Sequence, residues 1–192
     1  MSITFYERNA EAYFRETVGA DVEPLRLQFL HHLSPTAHIL DAGCGSGRNA
    51  VAFLRAGFHV TAIDASPEMV RLAADHTGLD VKLMTFDDIS WTERFDGIWA
   101  CASLLHVARL RLPHTLRQLR NALRVNGAFY MSFKEGTTDR VVDDRTFVDM
   151  SGPMLLPLLH EASLVPVDMW TTPDVRLGRR DERWLNVISL RK

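Results

Sequence analysis

The chain has 192 residues, 46% of them hydrophobic and 24% charged, with a formal charge of −2. Chains of this size bury about 70% of their extended surface and fold without crosslinks, and the two cysteines, Cys44 and Cys101, argue against a disulfide-stapled secreted scaffold. The near balance of 22 basic and 24 acidic residues argues against broad nucleic-acid binding, and no apolar run approaches the ~18 residues of a membrane span.

The opening segment MSITFYERNAEAYF is charged early and lacks the basic-then-apolar order of a signal peptide, so a cytoplasmic location is expected. No repeat or long polar linker divides the chain, which reads as a single domain over 1–192. Residues 3–16 predict a helix with Tyr6, Ala10 and Tyr13 on one stripe, and 22–33 predict a second with Pro24 in its first turn. A short buried strand at 37–40 runs into Asp41, and a helix over 47–57 is stopped by Gly57. The segment 58–64 is a strand ending in a second acid, Asp64. Ser66 then suits a helix cap and Pro67 the first helical position, with the helix running to about His76.

Strands follow at 80–86 and 95–101, then a helix over 112–124 ended by Asn126-Gly127, and a strand at 128–133. Residues 136–150 are polar and irregular, which suggests a loop or lid. A helix over 152–162, split or delayed by Pro153 and Pro157, precedes two closing strands at 164–170 and 183–190. The expected fold is α/β. It is a doubly wound, mostly parallel sheet of seven strands with an antiparallel final strand and helices on both faces.

The strongest signal is HILDAGCGSGRNAVAFLRAG at 38–57, where Gly43, Gly45 and Gly47 lie between a strand and a helix. Glycines there permit a tight turn and close approach of a ligand to the backbone. Asp64 follows Gly47 by 17 residues and stands at the carboxyl edge of the sheet. A carboxylate there accepts hydrogen bonds from both hydroxyls of a ribose. A dinucleotide loop or a phosphate-binding loop fits less well. Asp41 would stand beside the pyrophosphate, and GRN replaces the lysine-containing signature. A cationic ligand suits Asp41 better.

LDAGCGSG, TAIDASPEMV and FDGIWACASLLHV together resemble the small single-domain class I S-adenosylmethionine-dependent methyltransferases. The resemblance is strong over about 35–135 and implies that family's Rossmann-like fold. It implies S-adenosyl-L-methionine as cofactor, S-adenosyl-L-homocysteine as product, and methyl transfer to a small-molecule acceptor. RNA or protein methylation, and a non-catalytic nucleotide-binding role, stay open. In the family the strand-one acid and the glycine loop lie under the methionyl group, which assigns that place to Asp41, Gly43, Cys44, Gly45 and Gly47. Asp64 matches the ribose acid, with Ser66 and Met69 toward the adenine. Where the family often has an acid against the adenine amine, this chain has Thr85 and Phe86, with Asp87 next.

The resemblance places Cys101 and Ala102 in the cofactor wall and His106 on the reaction side. His106 either orients or deprotonates an acceptor, or packs a short helix. Lys134 and Glu135 end the fifth strand, placed to meet a polar acceptor or to pair with neighbours. Arg145 and Phe147 fall in the covering segment. Arg179 and Arg180 belong to the charge cluster GRRDERW, which is either solvated surface or a clasp on an anionic group. N-terminal helices over 1–34 often cover the pocket in this family, which adds Tyr6, Tyr13 and Arg15. No zinc-ligand set or paired-proline signature is present, so metal-dependent chemistry and base-amine methylation are not indicated.

Overall fold

The computed structural model describes residues 2–176, 178–179 and 181–192. Arg180 lies outside the described residues. A first helix, α1 (Ser2–Thr17), and a second, α2 (Glu23–Leu30), precede the sheet. Its strands are β1 (His38–Ala42), β2 (His59–Asp64), β3 (Lys82–Leu83), β4 (Phe95–Ala100) and β5 (Leu123–Lys134). Helices α3 (Arg48–Arg55), α4 (Pro67–Thr77) and α5 (Leu112–Ala122) connect them. A hairpin of β6 (Asp139–Val142) and β7 (Arg145–Val148) follows, then α6 (Gly152–Glu161), β8 (Leu164–Pro173) and β9 (Arg183–Arg191).

The strand order is β3-β2-β1-β4-β5-β9-β8, with β9 antiparallel to both its neighbours and the first five strands parallel. The chain winds outward from β1 to β3, then restarts on the other side of β1 with β4. The crevice for a ligand in such a sheet opens at this reversal, at the carboxyl ends of β1 and β4.

Strand alternation builds two cores. Ile98 and Ala100 of β4 and Phe129, Met131 and Phe133 of β5 face α5 and α6. Trp99 and Tyr130 face the opposite way, stacked at 3.9 Å between ring centres, against Phe29 and Phe53. Ser66 caps α4 by accepting from the Met69 N–H, with Pro67 first in the helix.

Four local expectations need correction. The third strand holds only Lys82–Leu83. Both the Thr85 N–H and its hydroxyl donate to Asp88, at 2.8 and 2.6 Å, and this local pairing turns the chain into a single helical turn before the ladder can lengthen. Asn126-Gly127 does not stop α5, which ends at Ala122. The pair lies inside β5, where Asn126 has φ +64 and the register with β4 shifts. Pro157 does not split α6, since it sits on an exposed face one turn in. Finally, residues 139–148 are a hairpin rather than an irregular loop. Asp143 and Asp144, with φ of +51 and +62, make its two-residue turn.

Candidate active site

The turn after β1 is pinned from below. The N–H groups of Gly43 and Cys44 both donate to the Ile63 carbonyl, and the Gly45 N–H donates to Asp64 Oδ2 at 2.9 Å. Asp64 Oδ1 accepts from the Ser66 N–H at 3.0 Å. Burial pushes the Asp64 carboxyl up, while these N–H groups oppose the rise. Each oxygen keeps acceptor capacity for a further donor.

Gly43 is the residue that lets the β1 and β4 loops meet. It has φ +78, and a Cβ on it would lie 2.5 Å from the Ser103 Cβ. Ser103 in turn donates its hydroxyl to the Ala42 carbonyl at 2.7 Å. The crevice at the strand reversal is thereby narrowed and fixed.

Two cavities open there. The larger, of about 420 Å³, lies over the glycine turn and the end of β2. Gly43, Gly45, Asp64, Ser66 and Met69 line one side, and Thr85, Phe86, Asp87 and Ala102 line another. Asp87 also pairs with Arg111 at 2.9 Å. Asp41, Cys44 and Gly47 do not reach this cavity. Asp41 is buried behind the turn, hydrogen-bonded to the Ala50 N–H, and burial lifts its pKa to about 7. Cys44 is buried with its thiol pushed up, and Gly47 packs against Thr77 and Ala73 of α4.

The smaller cavity, of about 140 Å³, lies over the ends of β4, β5 and β9. Cys101 opens here rather than onto the larger one, and burial keeps its thiol protonated. Lys134, Arg145, Phe147 and Arg179 also line it. Arg15 and Glu135 do not. Arg15 is an exposed partner of Glu11, and Glu135 pairs with Arg183 at 3.1 Å.

Four residues belong to both cavities: Tyr6, Tyr13, Ala102 and His106. The aromatic stripe of α1 therefore forms a roof across the junction. Tyr6 and Tyr13 pack edge to face at 4.9 Å, while Ala10 packs with Met69 and Leu72. Ala102 has φ +56 and donates its N–H to Ser132 Oγ at 2.9 Å.

His106 is held on both sides. Its Nδ1 lies 2.7 Å from the Thr146 carbonyl, which can only accept, so Nδ1 carries the proton. Nε2 then accepts from the Tyr6 hydroxyl at 2.8 Å. Burial lowers the His106 pKa to about 4, so the ring is neutral near pH 7. Burial and the nearby Tyr13 raise the Tyr6 pKa well above its ordinary value, so its hydroxyl keeps its proton.

Sequence reasoning missed several wall residues. Arg48, the first residue of α3, lines the smaller cavity and donates to the Thr17 carbonyl at 3.1 Å. Asp174 and Arg176 form a paired floor, with Arg176 donating twice to the Asp174 carboxylate. Hydrogen bonds from Arg176 and Lys134 outweigh burial and hold Asp174 well below the usual carboxylate range. GRN after the last glycine was the available signal for Arg48. Nothing in spacing links Lys134 to residue 174.

Comparison with known proteins bears on the fold and the domain. Residues 39–127 match the family profile described as a methyltransferase domain. The chain is 35% identical over 95 residues to a ubiquinone biosynthesis O-methyltransferase of Xylella fastidiosa, covering 45% of this chain and 39% of that protein. It thus spans less than half the length of this curated relative. Among solved structures, the Burkholderia thailandensis 1,6-didemethyltoxoflavin-N1-methyltransferase, with 1,6-didemethyltoxoflavin and S-adenosylhomocysteine bound, superposes with a TM-score of 0.79 at 25% identity. That match covers 100% of this chain and 86% of that one. A TehB-like methyltransferase from Corynebacterium glutamicum shares the fold, with a TM-score of 0.72 at 19% identity, covering 98% and 100% of the two chains. In its domain profile and its fold the chain resembles the small class I S-adenosylmethionine-dependent methyltransferases. Among the described residues no helix is long and apolar enough to cross a membrane.

Proposed function

We propose that the chain methylates a small-molecule acceptor using S-adenosyl-L-methionine. The observation that carries this reading is the pair of cavities meeting at Tyr6, Tyr13, Ala102 and His106. One compartment suits a nucleoside, the other an acceptor, and the shared wall is where the two would touch.

The residues of the larger cavity fit the cofactor. Asp64 keeps acceptor capacity for ribose hydroxyls, and the bare backbone at Gly43 and Gly45 leaves room for the methionyl chain. Met69, Met84 and Phe86 give an apolar seat for a base. Arg48, next after the glycine turn in sequence, opens on the adjoining smaller cavity and would meet a methionyl carboxylate from that side. When bound, S-adenosylmethionine supplies an electrophilic methyl group on a sulfonium and is left as S-adenosylhomocysteine.

The protein's own contribution is alignment, water exclusion and control of one proton. The α1 roof covers the junction of the two compartments and shields it from water there. Tyr6 holds its proton toward His106 Nε2, and its oxygen faces the Arg145 guanidinium, so hydroxyl and guanidinium stand together on the acceptor side. His106 is a weak base in this setting, so its first role is to position Tyr6. The resemblance to a heterocycle N-methyltransferase and to a quinone-pathway O-methyltransferase supports an acceptor of ring size.

Calorimetric titration with S-adenosylhomocysteine tests the reading. Binding at one site per chain, weakened in Arg48→Met, is expected. A folded sample that does not bind overturns it.

A further inference from the structure

The smaller cavity has an unusual charge balance. Six basic side chains line it against two acidic ones, Asp174 and Glu182. Five of the six have a carboxylate within 4.0 Å, four of them from outside the hairpin turn. Lys134 pairs with Asp174 and Glu182, Arg176 with Asp174 and Glu16, Arg179 with Glu16, and Arg140 with Asp149. Arg48 is held by the Thr17 carbonyl, to which it donates at 3.1 Å. That leaves Arg145.

Arg145 is only 7% exposed, yet its sole carboxylate neighbour among the described residues is Asp143. That contact is 3.4 Å long, and Asp143 is 68% exposed at the hairpin tip, where water screens it. Arg145 Nε is buried with no hydrogen-bond partner. The guanidinium sits 4.0 Å from the Phe5 ring centre and 5.2 Å from that of Phe147. Aromatic faces compensate a desolvated cation only in part. A buried cation with an open donor, lining a cavity, is an anion seat waiting for its partner.

The rest of the wall sets the shape of that partner. Tyr6, Tyr13, Phe147 and Trp184 present ring surface around a volume suited to one ring. We infer that the acceptor is a single-ring aromatic or heteroaromatic acid, its anionic group seated on Arg145. This rests on the methyltransferase reading above and deepens it by naming the acceptor class. The β6–β7 hairpin, which carries Arg145 and Phe147, becomes the selectivity element.

The test uses benzoate and benzamide, which match in shape and differ in charge, titrated by ligand-observed NMR into protein saturated with S-adenosylhomocysteine. Wild type is expected to favour benzoate by about tenfold. Arg145→Gln is expected to lose that preference and Arg145→Lys to keep part of it, both with unchanged affinity for S-adenosylhomocysteine. Phenyl phosphate run in parallel separates a carboxylate-sized seat from one that prefers a phosphate. Equal binding of benzoate and benzamide, no binding of any of the three, or a preference that survives Arg145→Gln would overturn the inference. Failure of S-adenosylhomocysteine to bind would instead remove the underlying reading, and the benzoate preference measured without it would then report on Arg145 alone.

Discussion

The Tyr6 hydroxyl donates to His106 Nε2 at 2.8 Å across 100 residues of sequence. This bond ties the first helix to the loop after β4, and the Thr146 carbonyl ties that same imidazole to the hairpin. Three segments that share no sheet pairing thus meet on one ring. The junction of the two cavities is built from that meeting.

Removing the bond tests its role. Tyr6→Phe leaves the ring packed but strands a buried acceptor on His106, for an expected loss of about 1 kcal/mol in stability. Turnover should fall more than cofactor affinity, because Tyr6 touches the junction rather than the sugar site. Denaturant unfolding with S-adenosylhomocysteine titration separates the two effects. A variant with intact turnover would remove Tyr6 from proton handling.

Two buried groups give opposing pH dependences in one window. His106 has its pKa lowered to about 4, so the unfolded chain takes up a proton the folded chain refuses. Its contribution to stability is present above about pH 6.5 and is lost as pH falls toward 4. Asp41 has its pKa raised to about 7, so the folded chain holds a proton that the unfolded chain releases near pH 4. Its contribution is present at low pH and lost as pH rises toward 7. The two slopes oppose each other between about pH 4 and 6.5.

Each single substitution should unmask the other group. Relative to wild type, Asp41→Asn should gain up to about 4 kcal/mol at pH 8. Its stability should then rise with pH across the shared window. His106→Gln should show the reverse slope, falling with pH. Urea unfolding of both variants from pH 4 to 8 measures this, and slopes unchanged from wild type would mean that neither group titrates as its burial implies.

Glycine positions with similar backbone should respond differently. Gly43 has φ +78 and a Cβ would lie 2.5 Å from Ser103, whereas Gly57 has φ +88 with nothing within 4 Å. Gly57→Ala should cost only the left-handed strain, about 1–2 kcal/mol. Gly43→Ala adds a clash with a hydrogen-bonded loop and should cost about 2–5 kcal/mol, with loss of nucleotide binding. Thermal unfolding of the two variants compares them. Equal losses would mean that the β1 and β4 loops yield more easily than their packing implies.

Much of the frame was legible because its signals are local. The glycine turn, the acid ending β2, the Ser66 cap and Pro67 each act within a few residues, and the alternation of strands and helices pointed to a doubly wound sheet with an antiparallel final strand. The hairpin was missed because two aspartates in a left-handed turn carry a weaker signal than Asn-Gly, and its four-residue strands, DRVV and RTFV, show no clean alternation of polar and apolar residues. Site walls were less legible than the turn. Arg15 and Glu135 stand near the right elements, but each has a surface partner that no spacing reveals. Asp41 shares a motif with Gly43 yet is buried behind the turn, held by the Ala50 N–H at the start of the following helix, a contact that the motif's spacing does not reveal. Arg48 and Asp174 become visible only when the sheet brings Thr17, Lys134 and residue 174 to one edge.

A crystal soaked with S-adenosylhomocysteine tests the central claim most directly. The account predicts the ligand over the glycine turn, its ribose hydroxyls hydrogen-bonded to Asp64 and its sulfur directed toward the wall shared by Tyr6, Ala102 and His106. Ligand density elsewhere, with that crevice empty and the sugar away from Asp64, would contradict it.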